Sequence, residues 1–111
     1  MSTRILFVCS QNKIRSKTAE EIFLGHDDVE AKSCGTETDA SAPASVEILA
    51  WADVVVCMGA SHKKKLRKKF WSIVDVKQVV ILGIPDEYDY GDPSLAEILR
   101  RRMMAVLPEL F

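Results

Sequence analysis

The chain has 111 residues, 48% of them hydrophobic and 28% charged, and 15 lysines and arginines nearly balance 16 aspartates and glutamates. This length suffices to bury one hydrophobic core, which excludes an intrinsically disordered chain and predicts a single domain over residues 1–111. The formal net charge of −1 gives no overall attraction to nucleic acids or membranes, so any such attraction has to come from a local patch.

The first half of the chain predicts two strands and two helices. The run Ile5–Val8 is continuous and rich in β-formers, as expected of a strand that is covered on both faces. Residues 16–25 have the apolar spacing of a short amphipathic helix that ends at its glycine. A weakly alternating strand follows at residues 29–33. After a polar loop, Pro43 is predicted to open a second helix.

The second half repeats this alternation. Residues 54–58 are the clearest buried strand, and a basic helical segment follows Gly59. Residues 79–82 predict a fourth strand, and Asp92 and Pro93 are expected to be the N-cap and the first residue of a closing helix. The βαβαβαβα order predicts an α/β fold, a doubly wound four-stranded parallel sheet with helices on both faces. Ligands of such sheets bind beyond the carboxyl ends of the strands.

The cysteines and the apolar runs indicate the compartment. Cys9, Cys34 and Cys57 are odd in number and have neither Cys-x-x-Cys nor Cys/His metal-site spacing, which argues against a disulfide framework and a zinc site. No apolar run approaches the length of a membrane span or of a signal peptide. We therefore expect a soluble, cytoplasmic protein without a zinc site, with Cys34 and Cys57 as structural residues.

Chemistry is first expected in the loop after the first strand, which reads Cys9-Ser10-Gln11-Asn12-Lys13-Ile14-Arg15-Ser16. The converging N–H groups and the dipole of a helix N-terminus stabilise a thiolate at Cys9, and the same N–H groups form a nest for an anion. Arg15 adds a planar, permanently charged fork that can grip two phosphate oxygens. The alternative is that Cys9 is a small buried residue and Arg15 a solvated one.

Five residues in and beside this loop form the pattern Val-Cys-x-x-Asn-x-x-Arg-Ser: Val8, Cys9, Asn12, Arg15 and Ser16. A turn that reads Ser33-Cys34-Gly35-Thr36 follows the second strand. On these residues the chain resembles the low-molecular-weight protein tyrosine phosphatase family, whose members carry this loop and a Ser-Ala-Gly-Thr turn. The similarity extends over nearly the whole chain, and it implies a flavodoxin-like sheet, in agreement with the periodicity.

The resemblance implies a phosphomonoester hydrolase that acts on phosphotyrosine in proteins or on a small aryl phosphate and needs no cofactor and no metal. Cys9 would attack the phosphorus and form a phosphocysteine, while Arg15 and the loop N–H groups hold the equatorial oxygens. Ser16 would hydrogen-bond the thiolate, and Asn12 would hold the shape of the loop. The implied phosphate-binding residues are Ser10, Gln11, Asn12, Lys13, Ile14, Arg15 and Ser16.

The resemblance also implies a general acid in the loop after the fourth strand. Three aspartates lie there: Asp86, Asp89 and Asp92. The family's loop reads approximately Pro-Asp-Pro-Tyr-Tyr-Gly, and residues 85–91 align with it so that Asp86 takes the place of the acid. The alternative is Asp92 with the proline after it, although a helix N-cap already explains that pair. Tyr88 and Tyr90 would wall the substrate cleft.

The chain departs from the family pattern at a few positions. Ile14 stands where members commonly have a second cysteine, so a protective disulfide with Cys9 is not expected. Glu87 replaces a proline in the acid loop. Lys17 replaces a proline after the first loop and, with Lys13, adds a positive rim that favours anionic substrates.

Residues 62–69 concentrate six formal positive charges on one helix. We interpret this segment as a solvated face with Leu66 and Phe70 packed inward and His62 on the surface, and we interpret Trp71 as a packing residue. Docking of an acidic protein or a nucleic acid is the alternative. We expect no membrane partner and no nucleic-acid partner, and the oligomeric state stays open.

Two other functions remain as alternatives. One is an arsenate reductase of the same fold, in which Cys9 attacks arsenate, although Cys34 and Cys57 fall in the wrong places for a cysteine relay. The other is a non-catalytic module that uses its anion nest to bind a phosphorylated or nucleic-acid partner. A pure binding module does not need a nucleophile together with an acid, so the hydrolase is the favoured function.

Overall fold

In the computed structural model, which describes residues 2–111, four strands alternate with four helices. The elements are β1 (Thr3–Cys9), α1 (Arg15–Phe23), β2 (Val29–Gly35), α2 (Val46–Trp51), β3 (Val54–Cys57), α3 (Ala60–Val74), β4 (Gln78–Ile81) and α4 (Pro93–Val106). All strand pairs are parallel, and the strand order is β2-β1-β3-β4. The predicted α/β fold is therefore confirmed.

The two faces of β1 belong to two apolar layers. Ile5, Phe7 and Cys9 lie in the layer that includes residues of α1 and α4. Leu6 and Val8 lie in the layer that includes residues of α2 and α3. Because both faces are covered, the run from Ile5 to Val8 is completely buried, which explains its continuous hydrophobicity.

The predicted start of the second helix is wrong. Pro43 forms an isolated parallel bridge with Gly35, and α2 begins only at Val46. Ser45 is the N-cap, and its Oγ accepts a hydrogen bond from the N–H of Ile48 at 3.2 Å. A serine cap therefore determines where this helix begins.

The predicted start of α4 is confirmed, whereas one predicted packing residue of α3 is exposed. At the start of α4, Asp92 is the N-cap as predicted, and its Oδ1 accepts a hydrogen bond from Ser94 N at 2.8 Å, with Pro93 in the first turn. On α3, Trp71 is 65% exposed, so its predicted packing role is wrong, whereas Leu66 is buried as predicted. Over residues 2–111, every helix is too short or too polar to cross a membrane.

Candidate active site

The Cys9 loop (residues 9–16) connects the carboxyl end of β1 to α1. Cys9 is the last residue of β1 and is 3% exposed, and Arg15 is the first residue of α1. The chain passes from β1 to β2 on one side and later to β3 on the other, so the strand order reverses at β1. The loop therefore leaves the sheet at the position where α/β sheets bind their ligands.

Backbone hydrogen bonds attach the Cys9 loop to the β2–α2 segment (residues 36–45). The bonds run from Thr36 N to Cys9 O at 2.9 Å, from Glu37 N to Ser10 O at 3.1 Å and from Ser41 N to Gln11 O at 3.0 Å. In a trans peptide unit the C=O and N–H bonds point in opposite directions. The N–H groups of residues 10–12 therefore face away from the β2–α2 segment, and successive free N–H groups in a loop can bind an anion.

Gly35 allows this close approach of the two backbones. A Cβ at this position would collide with the carbonyl oxygen of Ser10 and would lie 2.6 Å from Ala40 Cβ. It would also lie 3.1 Å from the backbone N of Asn12. Only a glycine fits between the loop and the segment behind it.

A buried polar chain links Cys9, Ser16 and Asn12. Ser16 Oγ lies 2.9 Å from Cys9 Sγ and donates to Asn12 Oδ1 at 2.8 Å. Asn12 has φ of 59°, a left-handed conformation that asparagine tolerates. Ser16 has one hydroxyl hydrogen, so a Cys9 thiol donates to Ser16 while Ser16 donates to Asn12. When Cys9 is a thiolate, the same hydrogen can turn toward the sulfur.

Arg15 joins the Cys9 loop to the β4–α4 segment (residues 82–92). Its side chain is buried, Nη1 donates to the carbonyl oxygen of Ile84 at 3.0 Å, and Nε lies 3.7 Å from Asp86 Oδ1. The Asp86 side chain is 70% exposed. A pocket of about 160 Å³ lies between these groups and is lined by Cys9, Ser10, Gln11, Lys13, Ile14, Arg15 and Asp86.

The other residues expected in the β4–α4 segment lie outside this pocket. The Asp92 carboxylate caps α4, and Asp89 is exposed. Tyr88 packs against the core, and Tyr90 lines a separate depression with Lys13 and Lys17. The hydroxyl of Tyr90 donates to Glu21 Oε1, and this hydrogen bond raises the pKa of Tyr90.

His62 is not the surface residue that the sequence suggested. It is 3% exposed, its Nδ1 accepts a hydrogen bond from Gly59 N at 2.9 Å, and its Nε2 lies 3.2 Å from Ser10 Oγ. Because Nδ1 is an acceptor, a neutral His62 carries its proton on Nε2 and donates to Ser10. Burial, with the nearby Arg15 and Lys65 cations, lowers the pKa of His62 to about 4. Sequence reasoning missed this contact because it depends on the tertiary fold.

The other two cysteines lie on the opposite face of the sheet from Cys9. Cys34 and Cys57 flank Val8 in the neighbouring strands and are buried in the layer of α2 and α3. Burial raises the pKa of each to about 12, so both remain protonated thiols at neutral pH. Within residues 2–111, no group of three or more His, Cys, Asp and Glu side chains could hold a metal ion.

Comparison with solved structures identifies low-molecular-weight phosphatases. The low-molecular-weight protein tyrosine phosphatase from Streptococcus pyogenes is 18% identical, with a TM-score of 0.79 over 98% of this chain and 93% of that chain. The corresponding enzyme from T. tengcongensis is 29% identical, with a TM-score of 0.73 over 98% and 100%. The YwlE arginine phosphatase from Geobacillus stearothermophilus is 25% identical, with a TM-score of 0.63 over 90% and 82%.

No protein-family model and no curated protein matches the chain. The matching solved structures cover nearly all of it and are low-molecular-weight phosphatases. The resemblance drawn from the residues of the Cys9 loop is therefore confirmed in the fold of the whole chain.

The close contact at Gly35 predicts that one added methyl group destabilises the fold. Gly35→Ala is expected to lower the free energy of unfolding by about 1–3 kcal/mol and to weaken phosphate binding, because the Ser10 carbonyl has to move. Gly25→Ala is the matched control, since a Cβ at Gly25 meets no atom within 4 Å. Urea unfolding and calorimetric phosphate titration measure both effects, and equal results for the two variants would contradict this role.

The buried His62 predicts a pH-dependent stability. The unfolded chain binds a proton at His62 near pH 6.5 and the folded chain only near pH 4, so stability falls as the pH decreases between these values. Over this pH range the free energy of unfolding falls by about 3 kcal/mol. His62→Gln is expected to reduce this slope in urea unfolding, whereas His26→Gln, a change at an exposed histidine, is expected to keep it. An unchanged slope in His62→Gln would disprove the assignment.

Proposed function

We propose that this chain, which has the fold of the low-molecular-weight phosphatases, is a cysteine-dependent phosphomonoester hydrolase that acts on phosphotyrosine or a related aryl phosphate. One observation carries the proposal: Cys9, Arg15 and Asp86 converge on a single pocket beside the N–H groups of the Cys9 loop. A nucleophile, an anion nest, a permanent cation and a carboxyl group are the parts that phosphoryl transfer through a thiolate needs.

In the first step the Cys9 thiolate attacks phosphorus, an S–P bond forms, and the bond between phosphorus and the leaving oxygen breaks. The loop N–H groups and Arg15 hold the equatorial phosphate oxygens, where the charge is carried. Ser16 Oγ, 2.9 Å from Cys9 Sγ, donates a hydrogen bond to the thiolate before the attack. Asp86 protonates the leaving oxygen, so that a phenol departs rather than a phenolate.

In the second step a water molecule attacks the phosphocysteine. The Asp86 carboxylate, which gave its proton to the leaving group, now takes a proton from this water. The S–P bond breaks, inorganic phosphate forms, and the Cys9 thiolate is restored. The two steps return every group to its starting protonation state, so the cycle requires no external reductant and no cofactor.

Asp86 suits the role of acid better than Asp92. The Asp92 carboxylate accepts the N–H of Ser94 at the N-terminus of α4 and is therefore already engaged as the cap of that helix. Asp86 is exposed to the solvent and borders the pocket that contains Cys9. It can therefore exchange a proton with both a leaving group and water.

A second candidate activity is hydrolysis of phosphoarginine, because solved structures with this fold include YwlE arginine phosphatases. Two charged residues of the Cys9 pocket act on this substrate in opposite directions. Lys13 repels the guanidinium of phosphoarginine, whereas the Asp86 carboxylate attracts it. A direct comparison of phosphoarginine and phosphotyrosine as substrates therefore decides between the two activities.

The arsenate reductase and the binding module are supported less well. An arsenate reductase needs further cysteines that can reach Cys9, and Cys34 and Cys57 are buried on the other face of the sheet. A module that only binds phosphate gains nothing from a carboxylate at the pocket, since Asp86 repels the anion.

Turnover of two aryl phosphates tests the nucleophile and the acid together. Cys9→Ser is expected to abolish hydrolysis of para-nitrophenyl phosphate and of phenyl phosphate. Asp86→Asn is expected to slow the hydrolysis of phenyl phosphate by about a hundredfold or more. The hydrolysis of para-nitrophenyl phosphate is expected to slow less, because nitrophenolate leaves more readily without a proton. Asp92→Asn is the matched control, since asparagine also caps helices.

Two results would contradict the proposal. Turnover that persists in Cys9→Ser would exclude the phosphocysteine, and phosphate binding without turnover in the folded wild type would favour the binding module. A loss in Asp92→Asn that exceeds the loss in Asp86→Asn would transfer the role of acid to Asp92. Faster release of phosphate from phosphoarginine than from phosphotyrosine would favour the second candidate activity.

A further inference from the structure

Helix α3 carries a strong local positive charge. Between Ala60 and Val74 the chain has six lysines and arginines and no carboxylate. The chain as a whole has a formal net charge of −1, so the remainder carries −7. An anion near the protein is therefore attracted to this helix, whereas the remainder of the chain has an excess of negative charge.

One face of α3, here called the basic face, is open to a partner. It consists of Lys64, Lys65, Arg67, Lys68 and Trp71, which line a shallow depression of about 550 Å³. Lys65 pairs with Glu37, and Arg67 pairs with Asp75. Within residues 2–111, Lys64 and Lys68 make no ion pair shorter than 4 Å, and Trp71 is largely exposed.

Contacts at Ser10, which lines the Cys9 pocket, link that pocket to the helix that carries the basic face. His62, in the first turn of α3, contacts Ser10 of the loop. Lys65 binds Glu37 at 2.8 Å, and the backbone N–H of Glu37 donates to Ser10 O. With a rise of about 1.5 Å per residue, Lys68 lies about 9 Å beyond His62 along the helix axis. An extended peptide covers that distance in about three residues.

We propose that the basic face of α3 docks an acidic segment of the phosphorylated protein substrate, while the phosphotyrosine occupies the Cys9 pocket. This inference rests on the proposed function and adds a substrate class to it. The acidic residues of the substrate lie within about six residues of the phosphotyrosine, because the first turn of α3 contacts Ser10 of the pocket. Carboxylates bind Lys64 and Lys68, and an apolar side chain packs on Trp71.

The charge distribution favours an acidic peptide over a nucleic acid. A nucleic acid carries one charge per nucleotide along its whole length and would extend over the surface that carries −7. A short acidic segment covers only the single helix on which the cations lie. The basic face also presents one exposed aromatic ring, whereas single-stranded nucleic acids are bound by successive stacking rings.

Kinetics with two matched phosphotyrosine peptides test the proposal, one with flanking aspartates and glutamates and the other with asparagines and glutamines in their places. The wild type is expected to prefer the acidic peptide by about threefold to tenfold in kcat/KM, through KM, and to lose this preference as the salt concentration rises. In the double variant Lys64→Gln/Lys68→Gln this preference is expected to disappear. For each variant, kcat/KM for the two peptides is divided by kcat/KM of the same variant for para-nitrophenyl phosphate, which corrects for a general change in activity.

Arg100→Gln/Arg101→Gln is the matched control. It removes the same two charges from an exposed part of α4, and α4 packs on the opposite face of the sheet from α3. This variant is expected to keep the wild-type preference. Equal kcat/KM for the two peptides in the wild type, or equal loss of preference in both double variants, would overturn the docking proposal and leave the hydrolase intact.

Binding separates docking from turnover. The acidic phosphopeptide is titrated into Cys9→Ser while tryptophan fluorescence is recorded, with Trp71→Phe in the same background to identify the signal of Trp71. Tighter binding of the acidic than of the neutral peptide, lost in Lys64→Gln/Lys68→Gln, supports docking even if the wild type shows no turnover. A single-stranded RNA oligomer that binds Trp71 more tightly than the acidic peptide would overturn the proposal in favour of a nucleic acid.

Discussion

The contact between the Cys9 loop and the β2–α2 segment governs the geometry of the whole site. Hydrogen bonds from residues 36, 37 and 41 engage three consecutive loop carbonyls, and the N–H groups of the same peptide units therefore face the other side. The two backbones approach so closely that only glycine fits at Gly35. The orientation of these peptide units is thus a consequence of how β2 ends, because the second strand and its turn determine which way they point.

The parallel sheet brings the other functional groups to the same edge. β1, β3 and β4 end side by side, so the Cys9 loop, the start of α3 and the segment that contains Asp86 meet there. Arg15 spans two of these elements, since its guanidinium bonds the carbonyl of Ile84 and lies near Asp86. His62, in the first turn of α3, connects that helix to the Cys9 loop through Ser10. The proposed chemistry and the proposed docking of acidic substrates both depend on this convergence of loops that are distant in sequence.

The sheet could be predicted from local sequence, because strands buried on both faces, such as Ile5–Val8, are continuous apolar runs. The position of the Cys9 loop follows from the sheet, since the loop begins where β1 ends. The cap at Asp92 could also be predicted from local sequence, because capping involves only neighbouring residues. The role of Pro43 was predicted wrongly because its bridge partner belongs to β2. His62 was missed because it bonds Ser10, 52 residues earlier in the chain, and no local pattern reports such a partner.

The proposed mechanism requires that Cys9 carries the phosphoryl group during turnover. To test this, the wild-type enzyme is mixed with excess para-nitrophenyl phosphate, denatured during steady-state turnover and examined by phosphorus NMR, and the peptide that contains Cys9 is then examined by mass spectrometry. The expected result is a thiophosphate signal and a phosphorylated Cys9, with Cys34 and Cys57 unmodified. Turnover without any phosphorylated cysteine, or phosphorylation at a residue other than Cys9, would contradict it.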